Sequence, residues 1–292
     1  MANNPNTPYG LQPLTRNDTA KYNASLKRYY VPAAQTVQIF IGDVVTKIAA
    51  SASPLGVPAC TLTASGSGNA ITGVVCGFLG VLPAGSAAAE PSFFPFQASP
   101  GQAYRPAVTA YDYYILVCDD PEVLYTVQAT NTYNGTAGAA VPVAAVGKNC
   151  NIIQQITGLT GTGTSGTSTV TLSAATNVVA GMSIVATSSG VPNPSLGIPL
   201  GTTIAALSGT TATLSVPLTA SLSTTALLIN GGNSISGYSG TQADVSSPAT
   251  TAAYQLNIVG FNYDAANTPG NNFAKLLVRI NNNTEVNGAA GI

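Results

Sequence analysis

The sequence predicts an all-β protein with a β-sandwich or jelly-roll-like core, and three features lead there. Its apolar stretches are short, about four to eight residues, and rich in Val, Ile, Tyr and Phe. Thirty glycines and nineteen prolines interrupt the chain between them. No segment keeps the three- or four-residue apolar spacing of an amphipathic helix for more than a turn or two.

Taken in order, residues 1–28 are polar and rich in Pro and Asn. Pro5, Pro8 and Pro13 oppose regular pairing, so an extended N-terminal arm is expected. Arg16, Lys21, Lys27 and Arg28 stand here against a single acid, Asp18. That composition fits either a solvated tail or a docking arm. As a docking arm it would contact a neighbour through Pro8, Tyr9, Leu11 and Pro13, aided by those four cations. The first part of a core domain follows over 29–157. Residues 29–32, 37–41, 44–48 and 71–78 read as strands, with Gly42-Asp43 as a turn. Residues 113–118 and 123–128 flank Asp119-Asp120-Pro121 and read as a hairpin. The core resumes over 231–292, where 254–261 and 273–280 supply two more strands around an Asn/Gly/Pro loop.

The intervening segment differs in texture: no Asp, Glu, Lys or Arg occurs between Lys148 and Asp244. Within it, Gly161-Thr-Gly163-Thr-Ser-Gly166 matches the glycine pattern of dinucleotide-binding proteins. That pattern requires a helix at the last glycine and an acid about 20 residues on. Here an alternating Thr/Val/Leu run follows, and the acid is missing. The run at 168–173, STVTLS, recurs at 210–215 as TTATLS. This strand spacing predicts an inserted small β-sandwich of Ig-like type over 158–230. Its glycine-rich lead-in and the Gly231-Gly232 exit would act as flexible hinges.

Composition narrows function. Charged residues are only 7% of the 292, against roughly 25% in typical soluble domains. So sparse a charge favours a protein whose faces are covered in an assembly. The formal charge of −1 and the scattered basic residues give no nucleic-acid footprint. No apolar run reaches 18 residues, so no membrane-spanning helix is expected. The N-terminus lacks a basic and then apolar leader, and synthesis in a cytosol is expected. Histidine is absent, which removes the commonest general base and transition-metal ligand. Only Asp119, Asp120 and Glu122 cluster among the acids, and turn chemistry accounts for them. Cys60, Cys76, Cys118 and Cys150 form no C-x-x-C pair and read as buried thiols, with disulfides as the alternative. No catalytic, cofactor or metal residues are assigned, and no enzyme is expected.

Seven stretches carry a resemblance: PNTPYGLQPL (5–14), RYYVP (28–32), FIGDVV (40–45), ITGVVCGF (71–78), ILVCDDPEVLYTVQ (115–128), LNIVGF (256–261) and AKLLVRINN (274–282). Together they resemble the head decoration, or cement, proteins of tailed phages. The resemblance implies an all-β homotrimer on the outer surface of the virion, clamping the major capsid protein. Tyr125 stands where that family's pattern has Phe, and segment 158–230 lies outside the compact pattern. The competing expectation is a head- or tail-borne adhesin that binds host glycans.

Overall fold

The computed structural model describes residues 4, 6–17, 23, 25–84, 104–107, 110–176, 178–232, 236–264 and 267–285. Among these it has twenty strands, two short 3-10 turns and no α-helix. The first ten strands are β1 (Gln12–Arg16), β2 (Lys27–Val31), β3 (Val44–Ala52), β4 (Pro58–Leu62), β5 (Gly73–Pro83), β6 (Tyr111–Cys118), β7 (Val123–Gln128), β8 (Thr132–Tyr133), β9 (Thr136–Ala137) and β10 (Asn149–Ile153). Strands β2, β4, β3, β5 and β6 close into a barrel. Its interior holds Tyr29, Val31, Val45, Val75, Tyr113, Ile115 and Val117. Because successive strand residues face opposite sides, Val44, Val74 and Cys118 point the other way, into a second core shared with a six-stranded sheet.

That sheet runs β1, β7, β20 (Lys275–Ile280), β19 (Leu256–Phe261), β10 and β18 (Gln242–Ala249). Here the hairpin expected at Asp119-Asp120-Pro121 is corrected. Strands β6 and β7 do not pair with each other: β6 lies between β2 and β5 in the barrel, and β7 between β1 and β20 in the sheet. The Asp-Pro turn is a corner between two sheets. Outward-facing charges hold it, with Arg16 paired to Asp120 and Lys27 2.9 Å from Asp119. From inside, the Tyr125 hydroxyl donates to the Cys118 carbonyl at 3.2 Å. Fixing the corner on both faces leaves β7 free to be buried at every position.

Strands β8 and β9 pair only with each other, and every strand of the remaining, seven-stranded sheet comes from residues 156–229, the module. In chain order these are β11 (Ile156–Gly163), β12 (Thr169–Leu172), β13 (Ile184–Ser188), β14 (Val191–Pro192), β15 (Ile204–Ser208), β16 (Thr211–Leu214) and β17 (Leu222–Ile229). They form one sheet in the order β14, β13, β17, β11, β12, β16, β15. The sheet folds back on itself around a single apolar cluster, and its far sides meet through the Ser183–Thr203 bridge. The sequence repeat explains this closure. Strands β12 and β16 carry the repeated runs, share one alternating burial pattern and pair with each other, Val170 opposite Ala212. Each repeat ends in the same serine clip. Thr160 N donates to Ser173 Oγ at 3.0 Å, and Ser173 N returns to Thr160 O at 2.8 Å. Thr203 N donates to Ser215 Oγ at 2.9 Å, and Ser215 N returns to Thr203 O at 2.8 Å. The module thus repeats a three-stranded unit, β11–β13 and β15–β17, with β12 pairing to β16 and β13 to β17 across the two, and β14 added at the edge.

The glycine pattern belongs to this packing. A Cβ on Gly161 would lie 2.7–2.8 Å from Leu227 and Val170, so this glycine lets β11 approach the module core. The arm is likewise part of the body. Strand β1 is the sheet's edge, and Leu11, wholly buried, belongs to the shared core. Leu11→Ala should therefore destabilise the isolated chain by about 2–5 kcal/mol in a denaturant titration. A loss under about 0.5 kcal/mol, the level of a surface change, would show that the segment docks elsewhere.

Candidate functional site: the junction between body and module

Three chain segments meet where the module joins the body: the lead-in Gln154-Gln155, the return at 230–232 and 236–241, and the turn Phe40–Asp43. Asp43 is the centre. Phe40 N donates to its Oδ2 at 2.8 Å, the Ser239 hydroxyl donates to Oδ1, and the Thr241 hydroxyl lies 3.1 Å from Oδ1. Gln154 extends the network. It accepts from Val44 N at 2.9 Å and donates to the carbonyls of Val44 and Thr63 at 3.0 and 2.6 Å, adding to the bond that Thr63 N already makes to the Val44 carbonyl. Asn230 donates to the Ile153 carbonyl at 3.1 Å, tying the exit to the lead-in.

The exit is no flexible hinge, contrary to what the Gly-Gly pair suggested. A Cβ on Gly232 would lie 2.2 Å from the Phe40 ring, so glycine is there to let backbone lie flat on an aromatic face. Phe40 stacks in turn on Tyr104, with centroids 4.7 Å apart. Beyond Tyr104, Arg105 is fully buried and donates to the carbonyls of Pro32, Val37, Gln35 and Pro106, with its guanidinium over the Tyr113 ring. Burial pulls its pKa down to about 10, so it stays charged at neutral pH and holds the 32–37 loop as a buried cation caged by carbonyls.

Two clefts flank the junction. One, of about 680 Å³, lies between Gln38 and Thr63 of the body and Thr187 and Leu228 of the module. The other, of about 620 Å³, lies between Pro8 and Tyr9, the module's Leu200 and Thr202, and Tyr238 of the return. Among the described residues, neither is lined by an Asp, Glu, Lys or Arg.

The eight expected arm contacts separate. Leu11 is core, Pro13 lies opposite Tyr125, and Pro8 and Tyr9 border the second cleft. Arg16 and Lys27 pair with Asp120 and Asp119 of the same chain. Arg28 lies in β2 opposite Leu116, and Lys21 is outside the described residues. The thiols are chemically quiet: burial pushes Cys60 and Cys76 up to about 12 and raises Cys150 as well. Among the described residues no group of three or more Cys, Asp or Glu could hold a metal. Sequence reasoning missed Asp43 as a buried carboxylate, Arg105 and Tyr238. A signal existed for two of them, since Asp43 is an acid inside an apolar run and Arg105 is the only cation between Lys47 and Lys148. No protein-family model, curated protein or solved structure matches this chain.

Burial raises the Asp43 carboxyl to about 6, against 3.8 ordinarily, and its hydrogen bonds only partly oppose this. The folded chain therefore holds that proton more tightly than the unfolded one. Its contribution favours folding fully below about pH 4 and is lost as pH rises through about 6, a swing of about 3 kcal/mol. Asp43→Asn should remove that component from thermal stability measured between about pH 4 and pH 7. An identical pH profile in both proteins would place the titration elsewhere.

Proposed function

We propose that this chain is a structural virion subunit, a decoration or cement protein that binds the outer surface of a phage head lattice as a homotrimer and stabilises it against genome pressure. One observation carries the reading. The seven stretches that resemble the cement family are scattered from residue 5 to 282, yet all of them fall in the body and lie side by side there. The arm pairs with the DDPEVLYTVQ strand, which pairs with AKLLVRI, which pairs with LNIVGF. RYYV pairs with the ILVC strand, which pairs with the VVCGF strand. The FIGD turn receives Leu11 N from the arm at 2.9 Å. The resemblance therefore traces one contiguous folded unit.

A subunit of this kind works by many modest contacts repeated over a lattice, each raising the effective concentration of the rest. Its low charge suits faces covered by neighbours rather than by water. Quantitative gel analysis of purified particles should find hundreds of copies per head, and particles lacking the protein should assemble but release their genome at a lower temperature. A few copies per particle would favour the tail-adhesin reading. Unchanged heat resistance without the protein would overturn the clamp.

A further inference from the structure

We infer that the second cleft, between the N-terminal segment, the module and the return, is a binding site for a neutral saccharide. The first ground is Tyr238. Its side chain is 46% exposed at the cleft, yet its backbone is fixed on both sides. Ile41 N donates to Gly237 O at 2.9 Å, and Ser239 N donates to Ile41 O at 2.8 Å. An aromatic ring held on rigid backbone and left open to solvent offers a flat apolar face at little entropic cost to a ligand. Leu200, 52% exposed, borders the same cleft from the module.

The second ground is what surrounds the ring. Hydroxyl residues of all three segments line the space, among them Thr7, Thr203 and Ser236. Asn6, which also lines it, donates to Gly181 O at 2.7 Å, while its side-chain oxygen is buried without a partner. Among the described residues the lining holds no charged side chain, and Lys275, which lies over the Tyr9 ring, is committed to Asp264 at 2.6 Å. A sugar ring matches this set, because its C–H face packs on an aromatic side chain while its rim of hydroxyls both donates and accepts. A carboxylated or sulfated sugar would lose hydration with no cation to offset it. The volume, about 620 Å³, falls in the usual range for small-molecule sites. Among the described residues, no aromatic side chain lines the first cleft, so the inference is confined to the second.

The test uses the full chain in solution, titrated by NMR with neutral tetrasaccharides of glucose, galactose, mannose and N-acetylglucosamine. A sialylated galactose oligosaccharide and an uncharged proline-rich peptide serve as competitors. At least one neutral sugar should bind with a Kd of about 10⁻⁴ to 10⁻³ M. Tyr238→Ala should weaken it at least about tenfold and Tyr238→Phe by no more than about threefold, both variants melting as the parent does. The inference fails if no neutral sugar saturates, if binding is unchanged in Tyr238→Ala, or if the sialylated sugar or the peptide binds more tightly. These outcomes are read on the isolated chain, so they stand or fall separately from any role on a particle.

Discussion

The backbone of residues 40–43 exchanges hydrogen bonds with three distant parts of the chain at once, and the arrangement of the body and module depends on it. Leu11 N from the arm reaches Gly42 O, Gly42 N reaches Val75 O in the barrel, and Ile41 bonds on both sides to Gly237 and Ser239 of the return. Such buried peptide groups must be paired somewhere, since each one left unpaired costs about 1–3 kcal/mol. The turn can serve all three only because its own geometry is unusual. Gly42 has φ +92°, and a Cβ there would lie 2.6 Å from Tyr9 O; Gly10 faces it with φ +74° and a would-be Cβ 2.5 Å from Gly42 O. Two glycines in the left-handed region, back to back, let two stretches of main chain touch.

Asp43 completes the turn by accepting Phe40 N, and it does so at the cost of a buried carboxylate with hydroxyl and amide partners but no adjacent cation. The same turn supplies Phe40, on whose ring Gly232 lies, so the module's exit is set against the body by shape as well as by hydrogen bonds. The module contributes its own rigidity. Its two repeated units exchange strands, β12 with β16 and β13 with β17, so neither unit can bury its apolar face without the other.

What was legible in the sequence was period and punctuation. Short β-branched and aromatic runs marked β2, β3 and β5, the repeated alternating run marked β12 and β16, and the charge gap between Lys148 and Asp244 contains the whole seven-stranded sheet. Partner choice was not legible. The 113–118 and 123–128 runs look like a hairpin because a tight Asp-Pro turn suits both a hairpin and a corner, and only tertiary packing sends β6 and β7 to different sheets. Gly231-Gly232 looks like a hinge for a similar reason: glycine permits flexibility in solvent and close approach against a ring, and sequence does not distinguish them. Within the junction, Gln154, Ser239 and Thr241 are ordinary surface types whose burial depends on long-range contacts. The arm's prolines predicted an extended segment without regular pairing, yet Gln12–Arg16 pairs with β7, Pro13 opposite Tyr125; Leu11 is one apolar residue in a polar stretch, and no local pattern shows that it enters the core.

The central claim is that residues 40–43 form one cooperative node joining arm, barrel and module return. Native-state hydrogen exchange tests it most directly, through the amides of Leu11, Ile41, Gly42, Val75 and Ser239. These five should open together with one common free energy, as members of a single unfolding unit. Gly42→Ala, which places a Cβ against Tyr9 O, should lower all five by the same amount. Independent exchange, with Leu11 or Ser239 opening far below the others and insensitive to Gly42→Ala, would contradict the account.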